Sequence, residues 1–537
     1  MIHKTLSFSF AAIFMILNNQ LYKPSYFWWL FALLAFLLLF RLGATPIYIL
    51  DEAKNAQCAR EMMEKGDMIV PTFNGELRTD KPPLHYFFMM AAYKLFGTTE
   101  FAARFFSVIM GLLTVLITYL YTKRLFNAFA AFCAAVVLVS STHFLFEFRL
   151  SVPDPYLIFF ITLGLFSAFT WLQQNKPSQL YIAAASLGLA ILAKGPVALA
   201  LPGLCVLIWV IINRKWKIVF TWHLIPAFIL LSAIAVPWYL AVDKATNGEW
   251  TKGFFIDNNL NRFSDPQEGH GGFFLLTVIF LIVGLLPFIS FMGETVKQRR
   301  KVFENGLVKF SGIVVLAFVL FFSLASTKLP NYAMPCYPFA AVVLGSFIAS
   351  LLNKEIVSKQ YPYFILLVFT LIIPIAGYLA IAQEAEAKEV NWLALFLLVT
   401  PIIFIAALFT KTGWQQKIKI IFISYFIFNT VGLGYVYPSL YTQNPVAKTI
   451  DLAKQYPTVY CYNIFNSGYR FYLDKNVPRT YDVSTLKHWL DSTHNAIVIT
   501  RTDYLDSLKG LPLQEIARHH DIFELPTTVI LKNNATP

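Results

Sequence analysis

Charge is what this 537-residue chain has least of: Asp, Glu, Lys and Arg make up 14% of it, against 57% hydrophobic and 17% aromatic residues. With a mean hydropathy of +0.59, that poverty excludes an ordinary soluble globular protein. Cysteine is scarce too. Cys58, Cys133, Cys205, Cys336 and Cys461 are scattered, two of them inside apolar runs, so neither a disulfide framework nor a zinc-type CxxC pair is present. The sequence has no internal repeat and no low-complexity segment.

What is present is hydrophobic length. Apolar runs near 26–42, 102–121, 128–146, 155–172, 179–193, 197–212, 220–240, 272–292, 307–325, 333–351, 361–382, 392–410 and 420–437 give a polytopic α-helical membrane protein of about thirteen spans. An earlier run, Leu6 to Leu17, is too short to span. It reads as an interfacial helix, because Asn18, Asn19 and Gln20 offer no signal-peptide cleavage site. The net charge of +13 would suggest nucleic acid in a soluble protein. Here the basic residues gather in short alternate connections such as Lys123-Arg124, Arg214-Lys215 and Lys297–Lys301, which places those connections in the cytoplasm and no nucleic acid among the partners. The opposite connections, 43–101, 147–154, 243–271, 326–332 and 383–391, collect acids, histidine and proline and lie outside. An odd span number then puts residues 441–537 outside as a small soluble α/β domain, after a transmembrane domain of residues 1–440. Its strand candidates are 458–462, 496–500 and 527–532, with an amphipathic stretch at 484–492.

The external connections carry the chemistry. Asp51 and Glu52 follow the first span directly, and Ala53, Ala56, Ala59 and Met63 behind them make a modest apolar stripe for a helix lying on the membrane surface. The acid pair serves equally as a helix N-terminal cap. In Thr79-Asp80-Lys81-Pro82-Pro83 the first proline biases Lys81 toward an extended backbone and both prolines can open the following helix. Lys81 is then either presented on a stiff mount or a lysine snorkelling beside helix punctuation. Glu147, Arg149, Asp154, Lys194, Asp257, Asn258, Arg262, His270, Lys328 and Tyr332 all fall on the same side, several at span ends. Unpaired charge there is expensive, and one shared external polar cavity accounts for the set more economically than separate caps. Lys194 also reads as a span-end lysine beside a Gly-Pro break. Arg60 and Arg104 read as structural, with Arg104 pairing Glu100 four residues earlier, and His85, His143 and His223 as packing residues.

The strings DEAKNAQCAREMMEKGDMIVPTFNGELRTDKPPLHYF, LAKGPVALALP, PWY, NLNRFSDPQEGHG, GLLPF and FSLASTKLPNYAMPCYP occur in order over roughly residues 26 to 345. Together they resemble the bacterial family of lipid-linked-sugar glycosyltransferases, which includes the aminoarabinose transferases of lipid A and relatives of the protein O-mannosyltransferases. The resemblance implies a C-type glycosyltransferase fold in the bacterial inner membrane and an undecaprenyl-phosphate sugar donor. It further implies transfer on the periplasmic side with inversion at the sugar carbon, to lipid A, another envelope glycan or a protein. It implies that Asp51 acts on or orients the acceptor and that Lys81 faces the donor phosphate. Asp80 and His270 would hold a divalent ion such as zinc, magnesium or manganese, although Asp80 stands where a longer Glu can serve. The expected catalytic group is Asp51, Glu52, Lys81 and Asp154, with Arg262, Lys328, Tyr332 and Lys194 joining Lys81 on the phosphate. Physical chemistry points the same way. Breaking a sugar–phosphate bond leaves negative charge on the phosphate, which cations already in place stabilise. A transporter or flippase of a lipid-linked sugar is the rival reading, weakened by the lack of a second copy of the DE or DKPP segment.

Overall fold

The computed structural model describes residues 22–261, 271–409 and 412–534. The expected interfacial helix at residues 6–17 lies outside the described residues. Among those described, eight helices are long and apolar enough to cross a membrane, and a bent pair makes a ninth. Tyr26–Leu39, Ala128–Ser140 and Val197–Ile212 are shorter apolar helices. Two helices form the centre of the bundle: Asp154–Gln174 and Met334–Leu352 each have 94% of their apolar window buried, whereas Leu224–Ala245 has 17% and turns its apolar surface outward. A helix apolar on all sides suits either position, and only packing decides between them. The run expected as one span over 272–292 is instead two helices, Leu276–Gly284 and Phe288–Lys297, bent by 112°. Pro287 stands in the break, where it can neither donate to the preceding turn nor let Leu286 stay comfortably helical.

The connection that follows the first described helix folds into α1 (Leu50–Lys65), a two-stranded hairpin of β1 (Thr72–Phe73) and β2 (Glu76–Leu77), and α2 (Leu84–Phe96). The Asn74-Gly75 corner has φ of 55° and 83°. Both residues thus take the positive φ of a tight hairpin turn, which this dipeptide adopts at little steric cost. The apolar stripe of α1 does not rest on the membrane surface as expected. Ala53, Ala56 and Ala59 are fully buried in a small core with Tyr86, Met89 and Tyr93 of α2 and Phe471 from the far end of the chain. A stripe of alanines is too shallow to anchor in lipid but lets a second helix approach closely.

The C-terminal unit is a five-stranded sheet in the order β4-β3-β5-β7-β6. Its strands are β3 (Thr458–Tyr462), β4 (Arg479–Thr480), β5 (Ala496–Arg501), β6 (Leu513–His520) and β7 (Thr527–Asn533). β3 pairs parallel with β4 and β5, while β7 runs antiparallel between β5 and β6. The three strand candidates of the sequence match β3, β5 and β7, and the amphipathic stretch is the helix Val483–Ser492. β4 and β6 are the edges, and their sequences lack an apolar run because little of them is buried.

Candidate active site

The connections 43–101 and 243–271 converge on residues 78–81. Arg78 closes the hairpin, its N–H donating to the Pro71 carbonyl at 2.9 Å. Its own carbonyl accepts from Trp250 Nε1 at 2.8 Å. The next residue is pinned as well, since a Cβ on Gly253 would meet Thr79 Oγ1 at 2.7 Å, so only glycine fits at that crossing. The buried Arg78 guanidinium lies 3.3 Å from Asp80 Oδ2. Lys81 follows, and Pro82-Pro83 lead directly into α2. The backbone that carries Lys81 is thereby held at the hairpin, at Trp250 and at the proline pair.

A cavity of about 400 Å³ opens beside it, lined by Asp80, Lys81, Lys194, Asn258, Thr327 and Tyr332 on polar positions and by Pro82, Leu157, Val197, Phe254, Phe255, Phe321 and Phe322 on apolar ones. Lys194 Nζ donates to Asp154 Oδ1 at 2.5 Å and lies 5.2 Å from the centre of the Tyr332 ring. Asp154 is the first residue of its helix, where the N-terminal dipole also favours a carboxylate. Glu147, buried nearby in the 147–154 connection, is pushed up to about 8, first by burial and then by the charge of Asp154, with Lys194 opposing.

The remaining expected residues are distributed differently. Asp51 is exposed in the first turn of α1, and its charge acts on Arg78 and His85. Glu52, beside it in sequence, lies away from the cavity wall, 1% exposed. It accepts Nε and Nη2 of Arg104 at 2.8 and 2.7 Å and the Ser151 N–H at 2.9 Å. Arg104 is therefore structural, but its partner is Glu52 rather than Glu100, which instead accepts from the Tyr472 hydroxyl at 2.8 Å. Lys328 donates to the carbonyls of Ser323, at 3.1 Å, and Ala325, capping the end of the helix Gly306–Leu324 while its neighbour Thr327 lines the cavity. Arg149 serves a similar end, donating to the carbonyls of Leu37, Leu38 and Phe40 behind the first described helix. Arg262 and His270 lie outside the described residues. The described residues alone do not compose a metal site: Asp80 is ion-paired with Arg78, and no three His, Cys, Asp or Glu side chains among them converge.

Arg78, Trp250 and Phe254 were not anticipated. The first could have been flagged by its place three residues before Lys81 in a chain short of charge. The aromatics have no local signature, because their partners come from a distant connection.

A bundle of apolar helices with a cavity between its connections and a terminal sheet unit is the architecture of a multi-pass membrane protein. The fold is shared with the crystal structure of ArnT from Cupriavidus metallidurans bound to undecaprenyl phosphate. The TM-score is 0.77 at 21% identity, over 94% of this chain and 98% of that one. The apo form of the same protein gives 0.79 over 95% and 98%, also at 21% identity. Residues 80–239 match the family model of dolichyl-phosphate-mannose-protein mannosyltransferase. The chain is 30% identical over 325 residues to an undecaprenyl phosphate-alpha-4-amino-4-deoxy-L-arabinose arabinosyl transferase of Enterobacter sp. (strain 638), a match spanning 57% of this chain and 58% of that protein. It is 29% identical over 316 residues to the protein of the same name from Edwardsiella ictaluri (strain 93-146), covering 57% and 56%. These alignments thus span less than two thirds of the relatives' own length.

Proposed function

We propose that this protein is a membrane glycosyltransferase that moves a sugar from an undecaprenyl-phosphate donor to an extracytoplasmic acceptor with inversion at the sugar carbon. The observation that carries the reading is the cavity in which Lys81, Lys194 and Tyr332 share one space with apolar and aromatic walls. A polyprenyl-phosphate sugar joins an anionic head to a hydrocarbon tail, which needs both kinds of wall. Relatives named for an undecaprenyl-phosphate sugar, and the shared fold, support it.

In this reading the acceptor oxygen attacks the anomeric carbon, the bond from that carbon to the phosphate oxygen breaks, and its electron pair leaves with undecaprenyl phosphate. Lys81 meets the charge that grows on the leaving phosphate, and Tyr332 and Lys194 line the same space. Asp154 keeps Lys194 in place through their ion pair. A hydroxyl acceptor would hand its proton to Asp51 or be oriented by it. A phosphate acceptor needs no base. Lipid A, another envelope glycan or a protein would each supply such a group. The alternation of basic connections supports a cytoplasmic amino terminus, about thirteen spans in the inner membrane, and a periplasmic active site and sheet unit. Arg262 and His270, in the same external connection, remain candidates for the phosphate and, with Asp80, for a divalent ion.

Purified protein in vesicles with a radiolabelled undecaprenyl-phosphate sugar tests the proposal. Label should move to an acceptor fraction from the outer face. Translocation of intact donor without transfer would establish a flippase instead.

A further inference from the structure

The C-terminal unit reaches back to the first external connection just before Lys81. Glu61 of α1, 4% exposed, faces Arg470 of that unit at 3.3 Å. The same carboxylate accepts from Thr72 Oγ1 at 2.8 Å and from the N–H groups of Asn74 at 2.8 Å and Gly75 at 3.2 Å. The hairpin corner is clasped from the other side. Asn74 Nδ2 donates to the Val477 carbonyl at 2.8 Å, and the Val477 N–H donates to Asn74 Oδ1 at 2.9 Å. Arg479 adds an ion pair to Glu76 at 3.1 Å.

A hairpin with two residues in each strand cannot hold its own shape in water. Its form therefore depends on Glu61 beneath it and on the clasp above it, and both run to residues 470–479. Only residues 78–80 separate the end of β2 from Lys81. The unit also meets the bundle elsewhere, through Asp474 on Arg60 and Tyr472 on Glu100 and Ile47, whereas its contacts to Glu61, Asn74 and Glu76 are the ones that reach the hairpin.

We propose that the C-terminal unit is a positioning element for the lysine segment, acting through Arg470 on Glu61 and through Val477 on Asn74. This deepens the transferase reading and rests on it. Misplacing a reacting group by about 1 Å can cost on the order of a hundredfold in rate. Loosening one contact of several should therefore lower kcat by about tenfold or more.

The test uses the full-length protein in detergent or nanodiscs, with two variants and one rescue. Arg470→Gln and Asn74→Asp, which keeps the turn geometry but removes the donor to Val477, should each lower kcat about tenfold, by the same positioning argument, with little change in donor KM. Each should also speed amide hydrogen exchange across residues 66–82. Arg470→Lys should recover most of the lost turnover. Asn74 sits at a half-buried turn, so its variant decides the matter should Arg470→Gln fail to fold. Exchange needs no substrate, which separates the two ideas. A wild-type protein that transfers no sugar would overturn the transferase reading. Unaltered exchange in Asn74→Asp, or faster exchange with wild-type kcat, would overturn the positioning role.

Discussion

Glu52→Gln separates two roles that an Asp-Glu pair leaves confounded. The substitution keeps the size of the side chain and removes its charge, leaving the Arg104 guanidinium, 2% exposed, without its counter-ion. Breaking a buried ion pair by removing one partner costs about 3–5 kcal/mol. The carbonyls of Leu42 and Thr45 still accept from Arg104 Nη1 at 3.1 and 2.7 Å, and the amide oxygen can still accept from the Ser151 N–H. The loss should therefore fall near the lower bound, about 3 kcal/mol. A double-mutant cycle with Arg104→Gln should return a coupling of more than about 1 kcal/mol, since the two residues share one hydrogen-bonded fork. The readouts are thermal unfolding in detergent and turnover normalised to folded protein. Melting should fall while the folded fraction keeps its activity. A Glu52→Gln protein that melts like wild type but turns over nothing would refute the structural role and return Glu52 to the chemistry.

Glu147 has a carboxyl pushed up to about 8 from an ordinary 4.5. Between those values the folded state binds more protons than the unfolded one, so its contribution is complete below about 4.5 and is lost as pH rises toward 8. Wild-type melting should fall across that window more steeply than that of Glu147→Gln, and parallel curves would contradict the assignment. An alkaline phosphatase fused after Tyr441 should be active if the sheet unit is periplasmic, and a silent fusion would mean that the span count is wrong. If Asp80 and His270 share an ion, thorough chelation should suppress turnover and added zinc or manganese should restore it. Full activity in demetallated protein would remove the ion and leave Asp80 to its pair with Arg78.

Hydropathy alone made most of the bundle legible, because membrane helices announce themselves by composition over about 20 residues. It could not say which helices are central, since lipid and protein interior are equally apolar. The break at Pro287 was likewise hidden inside a continuous apolar run. Cavity residues at span ends, Lys81, Lys194 and Tyr332, were legible because charge and hydroxyls stand out there. The partner of Glu52 was hidden for the opposite reason. It is 52 residues away, while the local i,i+4 rule offered Glu100 to Arg104. Lys328 also looked like a phosphate ligand until the carbonyl end of its own helix was in place to receive it. The Asn74-Gly75 dipeptide carried a hairpin signal, yet nothing local could show that its side chain clasps a residue 403 positions later.

The central claim is that Lys81 is held where a lipid-linked phosphate places its charge. Lys81→Ala, checked for correct insertion and wild-type melting, should be assayed with saturating undecaprenyl-phosphate sugar. Removing one preplaced charge from a developing anion costs about 3 kcal/mol, so transfer should fall by roughly a hundredfold or more. Near-normal turnover in that properly folded variant would contradict the account and return the Asp80–Pro83 segment to helix punctuation.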